Sequence, residues 1–110
     1  MNAYVITRKD MRDRTIKVTI NARFSPKGIE SQMHGTIARL LRHLNHEAFN
    51  IKAFLKGIHK EQRYYPEIYP NWAYIKDSYN NDEVLYVIAL AKIDLATLNK
   101  ATRLINKKEE

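Results

Sequence analysis

Six of the seven tyrosines of this chain lie in its second half, close to cationic side chains and to the single tryptophan. These aromatic residues are Tyr64, Tyr65, Tyr69, Trp72, Tyr74, Tyr79 and Tyr86, and His59, Lys60 and Arg63 come just before them. Aromatic rings next to cations can stack on unpaired bases and hold phosphates, at about 1–3 kcal/mol per stacked base. The pattern therefore allows contact with nucleic acid.

Cleavage of RNA without a metal is a second possible role for this segment. The candidate catalytic residues are His59, Lys60, Arg63, Tyr64 and Tyr65. A histidine or tyrosine would remove the proton of the 2′-hydroxyl, while lysine and arginine would stabilise the charge that develops on the phosphate. This hypothesis requires the residues to converge in space, which their proximity in sequence does not ensure.

Contact with a protein is the third role, because tyrosine and tryptophan are enriched at interfaces and in half-buried strands. For this alternative, the stretch 64–79 is the contact surface of an interaction or inhibitor module, with Tyr64, Tyr65, Tyr69 and Trp72 as its main residues. The partner would be another protein or a second copy of this chain.

Other kinds of chemistry find little support in the composition. The chain has no cysteine and three glycines, which excludes thiolate chemistry and leaves no glycine-rich phosphate loop. Its four histidines follow no metal-binding spacing. We therefore predict no metal site and no cofactor, and we expect a binding protein rather than an enzyme.

Basic charge is concentrated in the first half of the chain. The net charge of the 110 residues is +7, and all of this excess lies within residues 1–57, because the rest holds equal numbers of acidic and basic side chains. Such asymmetry is typical of proteins that contact nucleic acid or membranes. The predicted nucleic-acid-binding residues are Arg12, Arg14, Lys17, Arg23, Arg39 and Arg42.

No apolar run approaches the roughly 20 residues that cross a bilayer, and no leader pattern follows Met1. We therefore expect no membrane partner. The sequence predicts a small cytoplasmic protein that binds DNA or RNA through its basic N-terminal half.

Two strands are predicted at the start of the chain, over residues 3–7 and 15–24, joined by the charged stretch 8–14. In the second strand Ile16, Val18, Ile20, Ala22 and Phe24 alternate with polar residues. This period of two predicts that the apolar side faces the core and that the side with Lys17 and Arg23 is open.

A helix is predicted over residues 26–45, with Ser25 as N-cap and Pro26 as its first residue. Residues 47–57 favour a second helix that ends at Gly57, although residues 49–55 also alternate as a strand would. With a strand there, the order from Ser25 onward is α-β-β-β-α, which resembles the order of elements in double-stranded-RNA-binding domains without any shared motif.

The two prolines of residues 59–71 predict an ordered loop. Strands follow over residues 72–79 and 83–92, and the second contains the apolar run 84–91, which predicts a mid-sheet strand covered on both faces and more buried than any other element. Asp94 would cap a last helix to about Asn106.

Together these elements predict one α+β domain over residues 1–110, in the order β-β-α-(α or β)-β-β-α. Its antiparallel or mixed sheet has four or five strands, with two or three helices packed mainly on one face.

Overall fold

The computed structural model describes residues 2–21, 26–94 and 100, which form an α+β fold with two helices and five strands. In chain order these elements are β1 (Asn2–Asp10), β2 (Ile16–Asn21), α1 (Pro26–Asn45), α2 (Ile51–Leu55), β3 (Tyr64–Ile68), β4 (Trp72–Asp77) and β5 (Glu83–Asp94). The predicted fold class is confirmed in this outline. Of the predicted last helix, residues 95–99 and 101–106 lie outside the described residues.

The five strands make one antiparallel sheet in the order β2-β1-β5-β4-β3. Strand β5 lies at its centre, as predicted, and β2 and β3 form its two edges. The prediction that β5 is the most buried element is wrong, because Leu85 and Ile88 are its buried residues among those described, whereas every second residue of β4 is buried. Coverage by α1 protects one face of the sheet much better than the other.

Helix α1 packs on the sheet and forms the hydrophobic core with it. It begins at Pro26 and ends at Asn45, in agreement with the sequence. Residues three and four apart fall on one side of a helix, and five of them are buried in this way. The buried residues are Ile29, Met33, Ile37, Leu40 and Leu41, which pack on Ile6, Ala73, Ile75 and Ile88 of the sheet.

The end of α1 is attached to the beginning of β3 by one side chain. The amide nitrogen of Asn45 donates to the Tyr64 carbonyl at 2.9 Å, and its amide oxygen accepts from the Tyr64 backbone N–H at 3.0 Å. His46 follows with a φ of 55°, the left-handed conformation that commonly ends a helix. This contact fixes the helix end relative to one edge of the sheet.

Residues 51–55 form a helix, so the alternative strand in this region is wrong. Asn50 caps it, since its side-chain oxygen accepts from the Ala53 N–H at 3.0 Å. At the other end Gly57 has a φ of 76° and donates to the Phe54 carbonyl, while the Ile58 N–H donates to the Ala53 carbonyl. This pair of bonds is a Schellman motif, and the positive φ explains why glycine occupies the position.

Strand β3 replaces part of the predicted loop over residues 59–71. Proline is excluded from central strands because it lacks the N–H that a ladder needs, yet it is tolerated at sheet edges. Pro66 pairs with Ile75 of β4 and has no second neighbouring strand among the five that the structure describes. A proline therefore does not prevent a strand here.

Strand β2 has the opposite orientation to the predicted one. Lys17 and Thr19 face α1, whereas Ile16, Val18 and Ile20 point away from it and are 61%, 52% and 49% exposed. β2 is an edge strand, and none of its described residues belongs to the core that α1 covers, so the helix does not bury its apolar side. Of the other residues in the predicted alternation, Ala22, Arg23 and Phe24 lie outside the described residues.

Neither described helix combines the length and the apolar character that a membrane span requires.

Candidate nucleic-acid interface

A cleft of about 470 Å³ lies between α1 and the β1–β2 hairpin. Its apolar base is formed by the buried side chains of Ile6 and Leu40. The remaining lining residues are polar, aromatic or basic, namely Arg8, Lys17, Thr19, Thr36, Arg39, His43 and Tyr86. The cleft can therefore offer hydrogen-bond donors and positive charge above an apolar base.

The sheet places two cations side by side in this cleft. Arg8 of β1 is directly opposite Lys17 of β2 in the antiparallel register, so their side chains share one face. Like charges in this arrangement destabilise a sheet. A bound anion would remove the repulsion, which makes the pair suited to contact with a phosphate.

The helix contributes the facing wall of the cleft. Arg39 and His43 are four residues apart and therefore neighbours on the same side of α1. Arg39 donates to the Thr36 hydroxyl at 3.3 Å, and this hydroxyl donates to the Gln32 carbonyl at 3.0 Å. The other terminal guanidinium nitrogen lies 3.6 Å from the position that a Cβ atom on Gly35 would take. The helix surface thus supports the Arg39 side chain along its length.

Carboxylates are absent from the nine residues that line the cleft. Within the described part of the chain, the four ion pairs lie elsewhere and involve Arg12, Lys60, Arg63 and Lys76. Arg8, Lys17 and Arg39 consequently keep their charge without a neutralising partner among the described residues.

Tyr86 forms one side of the cleft and is held between two arginines. Its hydroxyl accepts from a terminal nitrogen of Arg12 at 2.7 Å, and the guanidinium carbons of Arg8 and Arg12 lie 6.0 and 5.3 Å from the ring centre. Arg12 also donates two side-chain bonds to Asp10, at 3.2 and 3.1 Å. These bonds hold the pKa of Asp10 below its ordinary value and raise the pKa of Arg12. Arg12 is therefore a partly neutralised cation beside the cleft.

The six predicted nucleic-acid-binding residues have different positions in the structure. Lys17 and Arg39 come together in the cleft, and Arg12 lies at its side. Arg42 is exposed on α1 and lines a neighbouring depression of the surface with His46 and Glu47. Arg14 is exposed in the β1–β2 turn, and Arg23 lies outside the described residues.

Sequence reasoning missed Arg8, His43 and Tyr86 as members of the cleft. The predicted first strand ended at Thr7, whereas β1 continues to Asp10. With that longer strand, the alternation Tyr4, Ile6, Arg8 would have placed Arg8 on the core face. His43 was detectable from its spacing of four residues from Arg39. The position of Tyr86 depends on the pairing of β5 with β1, for which the sequence has no local signal.

Four of the five candidate catalytic residues line a second groove, of about 530 Å³, next to β3. They are His59, Lys60, Tyr64 and Tyr65, together with the rings of Phe49 and Phe54. The ring of His59 packs against Phe54 with 4.6 Å between ring centres, and Lys60 lies 3.3 Å from a Glu47 oxygen.

Arg63, the fifth candidate, is bound to a carboxylate. It donates two bonds of 3.0 Å to Asp77, and its guanidinium lies 4.8 and 5.1 Å from the ring centres of Tyr64 and Tyr79. Hydrogen bonding to Arg63 lowers the pKa of Asp77. In this arrangement Arg63 joins β3 to β4 and does not project into the groove as a phosphate ligand.

The residues proposed for a protein interface divide between the two ends of β3. Tyr64 and Tyr65 line the groove, whereas Tyr69 stacks on Trp72 with ring centres 4.9 Å apart and meets the edge of Tyr74 at 6.2 Å. The Tyr69 hydroxyl donates to Glu67. The Tyr69–Trp72 stack follows from the tight turn between β3 and β4, where the Tyr69 N–H donates to the Trp72 carbonyl at 2.8 Å.

Residues 2–21 and 26–94 contain no cluster of three or more histidine, aspartate or glutamate side chains placed to hold a metal ion. No protein-family model, curated protein or solved structure matches the chain.

Proposed function

We propose that this protein binds nucleic acid by holding backbone phosphates in the cleft between α1 and the β1–β2 hairpin. One observation carries the proposal. Arg8, Lys17 and Arg39, from three different elements, converge with His43 on a surface without carboxylates. Phosphate contacts from arginine and lysine supply most of the sequence-independent affinity for nucleic acid.

The rest of the molecule is consistent with this choice of site. The positive excess of the chain lies within residues 1–57, which supply all but one of the cleft residues. In the neutral second half, Arg63 and Lys76 are paired with Asp77 and Glu67. These two cations therefore have less uncompensated charge to offer an external anion than the cations of the cleft have.

Direct binding of short oligonucleotides as a function of salt is the first test. If Arg8, Lys17 and Arg39 each neutralise one phosphate, log Kd should change with log salt with a slope of about 2–3, or roughly 20- to 40-fold between about 50 and 200 mM. Fluorescence anisotropy with single-stranded RNA, duplex RNA and duplex DNA would measure this slope. Binding that is indifferent to salt, or no binding at low salt, would contradict the proposal.

The site is tested by removing charge from the cleft and, separately, from elsewhere in the basic half. Replacing Arg8 and Lys17 together by alanine should weaken binding by about 100-fold and lower the salt slope by about 2. Lys52 of α2 and Lys56, which follows its last residue, are exposed and do not line the cleft. Replacing both by alanine removes the same charge and should change Kd less than about threefold. Equal losses in both variants would show that net charge rather than the cleft determines binding.

A small phosphate could use the same chemistry, so the titration needs a competitor. Tripolyphosphate or a mononucleotide should displace an oligonucleotide weakly, because it offers fewer or differently spaced phosphates to the three cations. If a mononucleotide binds as tightly as a chain of ten nucleotides, the protein is a small-anion receptor and the proposal fails.

A further inference from the structure

Within residues 2–21 and 26–94, the outer edge of the sheet at β2 has no partner strand, and it carries an exposed apolar row. β2 has one neighbour, β1, and all of its residues with described side chains are exposed. Exposed edges with apolar side chains are sites where another strand can be added. The identity of that strand can be argued from the direction of the backbone groups and from the side-chain pattern.

The direction of the backbone groups follows from two hydrogen bonds. The Asp10 N–H donates to the Thr15 carbonyl at 2.9 Å, while the Met11 N–H donates to Leu85 of β5 at 2.8 Å. Since these groups alternate along an antiparallel strand, the odd-numbered residues of β2 point to β1 and the even-numbered ones point outward. The N–H and C=O groups of Ile16, Val18 and Ile20 therefore face outward, without a partner strand among the described residues.

We propose that β2 pairs antiparallel with β2 of a second copy of this chain, about a two-fold axis at Val18. In this register Val18 is opposite Val18 of the other copy, and Ile16 is opposite its Ile20. Every outward-facing residue then exchanges two hydrogen bonds, because each such pair in an antiparallel ladder is of the hydrogen-bonded kind. The two sheets join into one.

The side chains favour this register over its neighbours. The exposed isoleucines and valines of both copies meet on the face away from α1, and aliphatic pairs of this kind stabilise a sheet. On the α1 side, Lys17 is opposite Thr19 of the other copy. An axis at Lys17 would place two lysines directly opposite each other. An axis at Thr19 would place Ile16 opposite position 22, past the last residue of β2, so fewer residues of β2 itself would pair.

The pairing would extend the cleft. A two-fold axis between antiparallel edge strands is perpendicular to the sheet, so both copies of α1 lie on the same side. Lys17 and Thr19 line the cleft of each copy, and in the dimer those of one copy lie next to those of the other. The assembled surface is one basic groove that crosses the axis. The pairing itself does not depend on the proposed ligand, because its evidence is the edge of β2.

The mass in solution without nucleic acid is the first test. Sedimentation or light scattering should give twice the 13.0 kDa of the chain at micromolar to submillimolar concentrations. Val18→Asp should be monomeric, because it would bring two carboxylates together at the axis. Ile58→Asp makes the same kind of change at a residue 71% exposed outside β2, and should remain dimeric. A monomeric wild type, or a dimeric Val18→Asp variant, would overturn the proposal.

The register is tested by cross-linking, for which the absence of cysteine from the chain is an advantage. Paired Cα atoms at the axis should be about 5.5 Å apart, within the usual disulfide range, so Val18→Cys should form a covalent dimer on mild oxidation. Ile16→Cys is the matched control, because its two copies would be about 14 Å apart. Efficient cross-linking of Ile16→Cys, or none of Val18→Cys, would exclude this register. Both measurements are independent of nucleic-acid binding.

Discussion

The two edge strands of the sheet, β3 and β2, differ in two respects: whether nearby cations have acidic partners, and whether the outward backbone groups are protected. At the β3 edge, Pro66 interrupts the row of donors and Asn45 binds the backbone of Tyr64. The cations there have acidic partners, as in the pairs of Arg63 with Asp77 and Lys76 with Glu67. At the β2 edge the apolar side chains are exposed, and the cleft lining, as far as the structure describes the chain, holds cations and no carboxylate.

Arginine and lysine therefore have two different roles at the two edges. An arginine that donates two hydrogen bonds to a nearly buried aspartate stabilises the fold and has little left to offer a ligand. An arginine directly opposite a lysine is repelled by it in the free protein, and a bound anion would relieve that repulsion. The β3 edge is therefore built for stability, and the β2 edge is where we expect binding.

The strongest test of the comparison removes the carboxylate from the β3 edge. Asp77 is 5% exposed and accepts from Arg63 and from the Tyr79 N–H, so Asp77→Asn leaves a cation and a donor poorly satisfied. We expect the Tm to fall by roughly 5–10 °C in a thermal melt, with oligonucleotide affinity unchanged below the melt. Glu30→Gln, an equal charge change on an exposed part of α1, should not move the Tm. A loss of affinity at unchanged Tm would place Asp77 and Arg63 in the binding site instead.

Low pH should destabilise the protein through the ion pairs at the β3 edge. Hydrogen bonds from Arg63 and Lys76 hold the pKa values of Asp77 and Glu67 below their ordinary values. A carboxyl whose pKa is lower in the folded state stabilises the fold above its unfolded pKa, about 4, and this contribution is lost as the pH falls further. The Tm should therefore decline below about pH 4, and less steeply in Asp77→Asn. Parallel curves for the two proteins would contradict this origin of acid sensitivity.

A smaller effect is expected from Tyr86→Phe in the cleft. This change removes the 2.7 Å hydrogen bond from Arg12 and keeps the ring beside Arg8. Oligonucleotide affinity should fall by about two- to fivefold, because Arg12 loses the bond that holds it beside the cleft, and fixing a long side chain on binding costs roughly 0.5–1 kcal/mol. The Tm should hardly change. A fall in Tm as large as that of Asp77→Asn would mean that the cleft is a structural element like the β3 edge.

The smallest effect concerns Gly35 on the helix wall of the cleft. A methyl group there would meet the Arg39 guanidinium at 3.6 Å, an ordinary contact with the end of a flexible side chain. Gly35→Ala should therefore stabilise the protein by roughly 0.5–1 kcal/mol through helix propensity, measured by denaturant titration, and leave affinity unchanged. Weaker binding in this variant would show that Arg39 must lie against Gly35 to hold its ligand.

Local signals in the sequence predicted the two described helices well and the edge strands poorly. Apolar spacing and end residues located α1 from Pro26 to Asn45 and favoured a helix before Gly57. Strand β3 was missed because a proline indicates a loop unless the strand is known to be an edge, and strand order is a property of the whole sheet. The alternation in β2 identified the side chains that share a face, but it could not say which face α1 covers.

The cleft was predictable in part for the same reason. Lys17 and Arg39 were identified from charge alone, and their meeting across the cleft depends on where α1 crosses the hairpin. Arg8 was assigned to a loop because charged residues obscure the end of a strand, although β1 continues through it. The sequence identified charged side chains that could bind an anion. Their meeting in one cleft depends on the pairing of strands that are distant in the sequence.

The attachment of Asn45 to Tyr64 has a mechanical consequence for the cleft. The helix wall is tied through this amide to β3, while the opposite wall belongs to β1 and β2 on the far side of the sheet. Arg39 lies six residues before Asn45, or about 9 Å along the helix axis, so this attachment and the packing of α1 on the sheet fix its position together. The gap between the walls therefore follows the twist of the five strands. A ligand that binds both walls would restrict this twist and make the whole sheet more rigid, including the β3 edge, which the ligand does not contact.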